Sequence, residues 1–238
     1  MYITVFEETI PASRNVIAGA YYTKLRPILQ DHSGFISENG YTSPSDEKTH
    51  LTLAKFTSQE SAQFWRTHPD HLRIQHKSRQ GLLENFRLRS GPVVQPSEYY
   101  TADDDNPSAS SSSSSSSCLT TSKRGRYLIV YEELISVREQ PGLRSHIETA
   151  LLVAASGIFD EAFDITPYAN DQTVVWLISF ATKKAAVKCR DSQALANVQK
   201  GAEDMTHLVR VEREYGRFDR VEAPRDADGL QRRENESP

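Results

Sequence analysis

An internal duplication constrains the fold of this chain more than any other feature. The segment Tyr2–Ile10 reads YITVFEETI and the segment 127–135 reads YLIVYEELI, with Tyr, Val, the Glu pair and the final Ile at one constant offset. The order continues further on, where GFISE and LAKF in the first half are matched by GIFDE and LISF in the second. Matches that keep both order and spacing rarely arise by chance, so the sequence predicts two copies of one fold.

A low-complexity segment separates the two copies. It contains an unbroken run of serines, Ser110 to Ser117, and no periodic apolar residues, so it cannot bury enough surface to offset the entropy of ordering. A flexible linker of this length spans roughly 30 Å, which allows two compact halves to pack together. The predicted organisation is a first repeat over 1–96, a disordered linker over 97–125, a second repeat over 126–221 and a disordered tail over 222–238.

Each copy shows the same order of strand and helix signals. In the first copy, the β-rich segments YITVF, GFISENGYTS, HLTLAKFT and LENFRLRSGPVV alternate with two helical patterns, after Asn15 and after Ser58. Pro69 is expected to break the second helix. The order β-α-β-β-α-β is ferredoxin-like and leaves one apolar sheet face without helices. The predicted fold class is therefore α+β, with two ferredoxin-like (β-α-β-β-α-β) repeats packed as an intramolecular dimeric α/β barrel.

Composition narrows the classes of function. The net charge of −4 argues against a nucleic-acid binder. Two cysteines, Cys118 and Cys189, are too few for a disulfide framework, and no apolar run approaches the ~18 residues of a membrane span. With no signal-peptide pattern at the start, the prediction is a cytoplasmic protein that binds neither nucleic acid nor membrane. No glycine-rich phosphate loop, nucleophile elbow or dinucleotide fingerprint occurs, so no cofactor is expected.

One stretch carries a family resemblance. The sequence FWRTHPDHLRIQHKSR at 64–79, preceded by GFISE and LTLAKFTSQESA, resembles the antibiotic biosynthesis monooxygenase (ABM) family of dimeric α/β barrels. Fungal-type members carry a similar Trp-Arg, His and Gln pattern on the second helix, with strands similar to GFIS and FRLR. The resemblance covers about 2–94 by sequence and 127–218 by topology.

The resemblance implies a function in secondary metabolism. Relatives include cofactor-independent quinone-forming oxygenases, haem-degrading enzymes and polyketide-tailoring enzymes without a redox step. The expected function is a cofactor-independent monooxygenase of a small aromatic, polyketide-type substrate, for example anthrone to quinone, with O2 as co-substrate. Two alternatives stay open. One is a non-redox cyclase, decarboxylase, isomerase or dehydratase on the same barrel, and the other is a non-enzymatic small-molecule-binding or stress-responsive protein.

His71 is the candidate catalytic residue. An imidazole that titrates near neutrality can remove a phenolic or enolic proton, and the resulting carbanion-like substrate can react with O2. The alternative is a helix histidine that is hydrogen-bonded to the facing sheet. The spacing of His68, His71 and His76 does not put all three on one helix face, and Pro69 interrupts the helix, so no metal site is expected.

Six residues are candidates for substrate binding. Trp65 would stack on a planar substrate, although an aromatic on this helix face is more often part of the core. Arg66 would hold an anionic oxygen, or it forms a structural salt bridge, since Arg190 matches it in the second copy. The other four are His68, Gln75, Tyr22 and Tyr41, of which the tyrosines would orient a phenol or else serve in packing.

The second copy lacks the distinctive side chains of the first. When the copies are aligned by Gln, Trp65 falls opposite Cys189 and His71 opposite Leu195. A leucine transfers no proton, so one working site is expected, in the first half between sheet and helices. The alternative is that both halves bind ligand with different chemistry. The chain is expected to be a monomeric pseudo-dimer with further dimerisation possible in principle, and the symmetric Glu pairs at 7–8 and 132–133 suggest a structural role at the barrel rim.

Overall fold

The computed structural model describes residues 1–100, 126–134, 162–192 and 205–218. Residues 101–125 of the predicted linker, the predicted tail over 222–238, and Leu195 and Gln199, which match His71 and Gln75 in the second copy, lie outside the described residues. Two compact units divide the described chain. The first contains 1–93, 168–170 and 211–218, and the second contains 94–100, 126–134, 162–167, 171–192 and 205–210.

The first unit is an antiparallel sheet whose strands are connected along the chain by helices. Its elements are β1 (Tyr2–Thr9), α1 (Asn15–Gln30), β2 (Phe35–Thr42), β3 (Thr49–Phe56), α2 (Gln59–Thr67), α3 (Pro69–Lys77), a π-helical turn (Ser78–Leu82) and β4 (Asn85–Pro92). The strand order is β2-β3-β1-β4. This is the ferredoxin-like arrangement, so the predicted β-α-β-β-α-β order of the first copy is confirmed.

The second unit repeats this strand order. Its elements are β5 (Tyr127–Leu134), β6 (Ala162–Ala169, up to 167 in this unit), β7 (Thr173–Phe180), α4 (Lys183–Arg190) and β8 (Met205–Arg210). The order is β8-β5-β7-β6. The capping residues also match, because the Ser58 hydroxyl accepts from the Ser61 amide and the Thr182 hydroxyl accepts from the Ala185 amide. The predicted α+β class with two ferredoxin-like copies is confirmed.

The compact units divide the chain at points other than the predicted repeat boundaries. A short strand, β9 (Arg213–Gly216), pairs with β4 in the first unit, and Arg87 and Glu214 form an ion pair at 2.6 Å between these strands. Tyr168, also from the second half of the sequence, donates a hydrogen bond from its phenol to Glu7 Oε1 at 2.9 Å. The first unit is therefore completed by segments that lie far along the chain, and the repeat boundaries stay a prediction.

Local chemistry explains the turns around the second helix. His68 ends α2 and begins α3 with φ −60° and ψ 132°, an extended conformation favoured by the following Pro69. The predicted break at this proline is confirmed. Gly34 precedes β2 with φ 81°, and a Cβ there would clash with Ser61 Oγ, so this turn requires glycine.

Strand alternation assigns each residue of the first unit to a sheet face. Tyr2 packs with Leu29 of α1 and Trp65 of α2 in one core cluster, so the even-numbered residues of β1 face the helices. The opposite face carries Arg89, which is 2% exposed and lies 2.7 Å from Glu7 through Nη2 and Oε2. Among the described residues, no helix combines the length and apolar character that crossing a bilayer requires.

Candidate active site

Trp65 lies in the core of the first unit, surrounded by imidazole rings. It is 9% exposed and packs against Tyr2 and neighbouring apolar residues. The His71 ring stacks on the indole with a centroid distance of 4.4 Å and an interplanar angle of 17°. His68 and His32 approach the same indole at 5.9 and 6.2 Å. A planar substrate therefore cannot stack on the indole face that His71 covers.

The hydrogen bond of His71 fixes its tautomer. Its Nδ1 lies 3.0 Å from the carbonyl oxygen of Trp65, which can only accept, so Nδ1 carries the proton. Among the described residues, none hydrogen-bonds its Nε2, which keeps a lone pair. Burial lowers the pKa of His71 to about 4. Proton transfer from a phenol of ordinary pKa near 10 to this imidazole is uphill by about 8 kcal/mol, so His71 is a weak base here.

The other predicted residues near His71 hold the helix junction together. His68 Nδ1 accepts a hydrogen bond from the Asp70 amide at 3.3 Å and caps α3. The Gln75 side-chain amide donates to the carbonyl of Arg66 at 3.0 Å, which ties α3 to the end of α2. The structure thus brings Trp65, Arg66, His68, His71 and Gln75 together, and the hydrogen bonds of His68, His71 and Gln75 stabilise the junction of α2 and α3.

The two predicted tyrosines lie on opposite sides of the sheet. The Tyr22 phenol on α1 donates to Glu38 Oε2 on β2 at 3.0 Å, so this pair spans the helix-facing side. Tyr41 is 3% exposed and pairs in register with Leu51 of β3, whose side chain lies on the opposite face. Tyr41 therefore does not share a site with Tyr22 or with the His71 group.

A second group of titratable side chains lies beneath α1, and the sequence reasoning did not identify it as a site. We call it the α1 polar cluster, and it consists of Glu8, Tyr22, Arg26, Glu38 and His50. Burial, followed by the charge and hydrogen bond of Glu38, raises the pKa of Tyr22 to about 12. Burial also raises the pKa of Glu38, partly offset by the Tyr22 hydrogen bond and by Arg26, whose Nε lies 3.8 Å away.

Glu8 is the most perturbed carboxyl of the α1 polar cluster. It lies on the helix-facing side of β1, directly opposite His50 of β3 and Phe86 of β4. Burial raises the pKa of Glu8 to about 7, and burial lowers the pKa of His50. Among the described residues, none donates a hydrogen bond to the Glu8 carboxylate or forms an ion pair with it. The arrangement provides a carboxyl that gains and loses a proton near neutral pH.

Strand alternation is a sequence signal that could have identified Glu8. Neighbouring residues in a strand point to opposite faces, so one member of the Glu7–Glu8 pair had to face the helices, and this alternation would have singled out Glu8. Within the described residues, no three His, Cys, Asp or Glu side chains converge in a way that could hold a metal ion.

Comparison with known proteins shows what the chain is similar to. No protein-family model matches the chain. The chain is 25% identical over 235 residues to jasmonate monooxygenase ABM of Pyricularia oryzae, a similarity that covers 94% of this chain and 97% of that protein. This similarity agrees with the predicted resemblance to the antibiotic biosynthesis monooxygenase family.

Several solved structures are similar to parts of the chain. A proposed antibiotic biosynthesis monooxygenase from Deinococcus radiodurans matches with 7% identity and a TM-score of 0.37, covering 40% of this chain and 94% of that one. A Mycobacterium tuberculosis protein matches with 11% identity and a TM-score of 0.36, covering 40% and 97%. A proposed monooxygenase from Fusobacterium nucleatum matches with 8% identity and a TM-score of 0.36, covering 90% and 93%.

Proposed function

We propose that the protein is a cofactor-independent monooxygenase whose small, mainly apolar substrate carries a C–H bond acidified by a neighbouring carbonyl. The observation that carries this proposal is the helix-covered sheet face of the first unit. There, titratable side chains with shifted pKa values lie beside an apolar core, in a chain similar over nearly its whole length to a monooxygenase. The substrate binds between that sheet face and the helices.

The chemistry needs no electron source besides the substrate. A base removes the acidified proton, and the C–H electron pair stays on the substrate as an enolate-type carbanion. The carbanion adds to O2, protonation gives a hydroperoxide, and loss of water leaves a new carbonyl. For an anthrone, the CH2 group and O2 become a quinone carbonyl and water. One oxygen atom enters the product, and the substrate supplies both electron pairs that reduce O2.

Two substrate classes satisfy this requirement. The first is the aromatic polyketide type, of which an anthrone is the simplest probe. The second comes from the relative, whose name gives jasmonate as its substrate; jasmonate is a small ketone with an apolar ring and side chain, and its ring carbonyl also acidifies neighbouring C–H bonds. Both are planar or compact molecules that the helix-covered face of one unit could enclose.

A single working site in the first unit is part of the proposal. On α4 the position that matches Trp65 is Cys189, which is 6% exposed. Burial raises the pKa of the Cys189 thiol to about 11, so it stays protonated and unreactive at neutral pH. This thiol supplies neither a stacking surface nor a base in the second unit.

The test is oxygen consumption by the full-length protein with an anthrone and with jasmonate, in the presence of a metal chelator and without flavin. The expected result is one O2 consumed per substrate, with one 18O atom from labelled O2 in the product. Product formation that continues at the same rate without O2 would identify a non-redox tailoring enzyme. Binding of either probe without turnover would identify a binding protein and overturn the proposal.

A further inference from the structure

We propose that Glu8 is the general base of this protein, taking the proton from the substrate carbon at the helix-facing side of β1. This inference rests on the proposed function, because it assigns the proton-transfer step to a residue. It also differs from the role of His71 predicted from the sequence.

Glu7 and Glu8 are adjacent in β1 but have opposite environments. On the sheet face away from the helices, Glu7 is neutralised by Arg89 at 2.7 Å and accepts a hydrogen bond from the Tyr168 phenol at 2.9 Å. On the helix-facing side, Glu8 has no hydrogen bond or ion pair with any described residue. A carboxylate that serves the fold is paired in the way that Glu7 is, because desolvation without compensation is destabilising. Glu8 is half-buried, and an unpaired carboxyl whose pKa is raised by burial is typical of a catalytic group.

The groups around Glu8 favour a proton acceptor. α1 contributes Tyr22, whose pKa is raised mainly by burial and Glu38 and in smaller part by the charge of Glu8. The Tyr22 hydroxyl proton is already donated to Glu38 of β2, which keeps it from neutralising Glu8. β3 contributes His50, which lies opposite Glu8 in register, and burial lowers the pKa of His50 so that it is neutral at pH 7.

Neither β4 nor Arg26 of α1 provides a cation that pairs with Glu8. β4 places Phe86 opposite Glu8, and this ring packs with Phe6, Leu82 and Leu83 in a second core cluster. Arg26 of α1 lies 3.8 Å from Glu38, so its charge is shared with that carboxyl. Glu8 thus faces a phenol whose proton is engaged, a neutral imidazole and an aromatic ring. None of these stabilises its charged form as strongly as a direct cation would.

Glu8 is also a better-matched base than His71. The conjugate acid of Glu8 has a pKa of about 7, whereas that of His71 has a pKa of about 4. Each pKa unit is a factor of ten, so proton transfer to Glu8 is about a thousandfold more favourable at equilibrium. A base with a pKa near the working pH combines a large deprotonated fraction with useful proton affinity.

The proton-transfer step balances on Glu8 alone. The C–H bond of the substrate breaks, an O–H bond forms on the carboxyl, and the electron pair moves into the substrate enolate. After the enolate adds to O2, the protonated carboxyl returns its proton to the peroxide oxygen. The resulting hydroperoxide loses water to leave the carbonyl. Glu8 is regenerated as the carboxylate, and no further oxidant is required.

The experiment compares full-length Glu8→Gln, Glu8→Asp and His71→Asn with Glu84→Gln, a control at an exposed glutamate on the same chain. The first measurement is deuterium uptake at the acidic carbon of an anthrone in D2O without O2, which reports proton abstraction alone. The second is oxygen consumption with the same anthrone. The third is the midpoint of the Glu8 carboxyl by 13C NMR, assigned by its absence in Glu8→Gln.

In wild type and Glu84→Gln, the rate of deuterium exchange is expected to rise with pH through about 7. In Glu8→Gln, this rate is expected to fall at least 100-fold, while the KM for the anthrone stays nearly unchanged. Glu8→Asp should recover part of the loss. Exchange without oxygen consumption would overturn the proposed function and leave Glu8 as the base. Full activity in Glu8→Gln with a 100-fold loss in His71→Asn would overturn the inference and leave the proposed function. A Glu8 midpoint near 4.5 would also overturn it.

Discussion

Replacing Glu8 by Gln is expected to change the pH dependence of stability in the first unit. Burial raises the pKa of this carboxyl from 4.5 to about 7. Because the folded-state pKa is the higher one, the contribution of Glu8 to stability is fully present below pH 4.5 and is lost as the pH rises through about 7. The total loss is about 3 kcal/mol, since one pKa unit corresponds to about 1.4 kcal/mol. Gln carries no charge at any pH and does not show this loss.

The assay is urea unfolding of wild type, Glu8→Gln and the exposed-site control Glu84→Gln at pH 5 and pH 8. The unfolding free energy of Glu8→Gln relative to wild type should rise by about 2.5 kcal/mol between these two values, because part of the Glu8 effect is already lost at pH 5. Glu84→Gln should follow wild type within about 0.5 kcal/mol at both values.

A constant difference between Glu8→Gln and wild type at the two pH values would show that folding does not raise the pKa of Glu8. It would mean that the Glu8 carboxylate is as well solvated in the folded protein as in the unfolded chain. The carboxyl would then be fully ionised at neutral pH with no raised proton affinity. The assignment of Glu8 as a base matched to neutral pH would then be wrong.

Three further outcomes test the packing around the site. Arg89→Met should cost about 3–5 kcal/mol in urea unfolding because it leaves Glu7 buried without its cation, and adding Glu7→Gln should recover part of that loss. In 15N NMR, His71 should be neutral and protonated on Nδ1 at pH 7. Because its folded-state pKa is lowered to about 4, His71 should lower the unfolding free energy as the pH falls from about 6.5 to 4. Ser58→Ala and Thr182→Ala should each cost about 1 kcal/mol in urea unfolding, as the loss of matched helix caps.

The fold could be predicted from the sequence because its signals are local. The duplicated strand motif indicated two copies, and the alternation of β-rich and helical segments indicated the ferredoxin-like order. Ser58 as a cap and Pro69 as a break are determined by residues within one or two turns, and both are confirmed. Assigning β9 to the first unit was beyond such reasoning, because pairing of Arg213–Gly216 with β4 depends on contacts more than 100 residues apart.

The candidate site was harder to predict because it depends on desolvation. His68, His71 and Gln75 were recognised from the family resemblance of the stretch 64–79, and the structure brings them together around Trp65. Spacing does not reveal that a backbone carbonyl fixes the His71 tautomer or that burial lowers its pKa. Glu8 was interpreted as structural because it repeats as Glu133, yet repetition in sequence does not specify whether a carboxylate finds a partner in the fold. Strand alternation puts Glu7 and Glu8 on opposite faces, but only the packed environment shows which of the two has a partner.

An irregularity in β2 determines the sheet face on which Tyr41 lies. Phe35 faces the helices and packs against Phe56, so simple alternation from Phe35 would put Tyr41 on the same side as Tyr22. A register shift between Phe35 and Ser37 inserts one residue and inverts the faces of the rest of the strand. The inversion moves Tyr41 to the far face and brings Glu38 under α1 instead. The same irregularity therefore separates Tyr41 from Tyr22 and supplies the carboxylate that accepts the Tyr22 hydrogen bond.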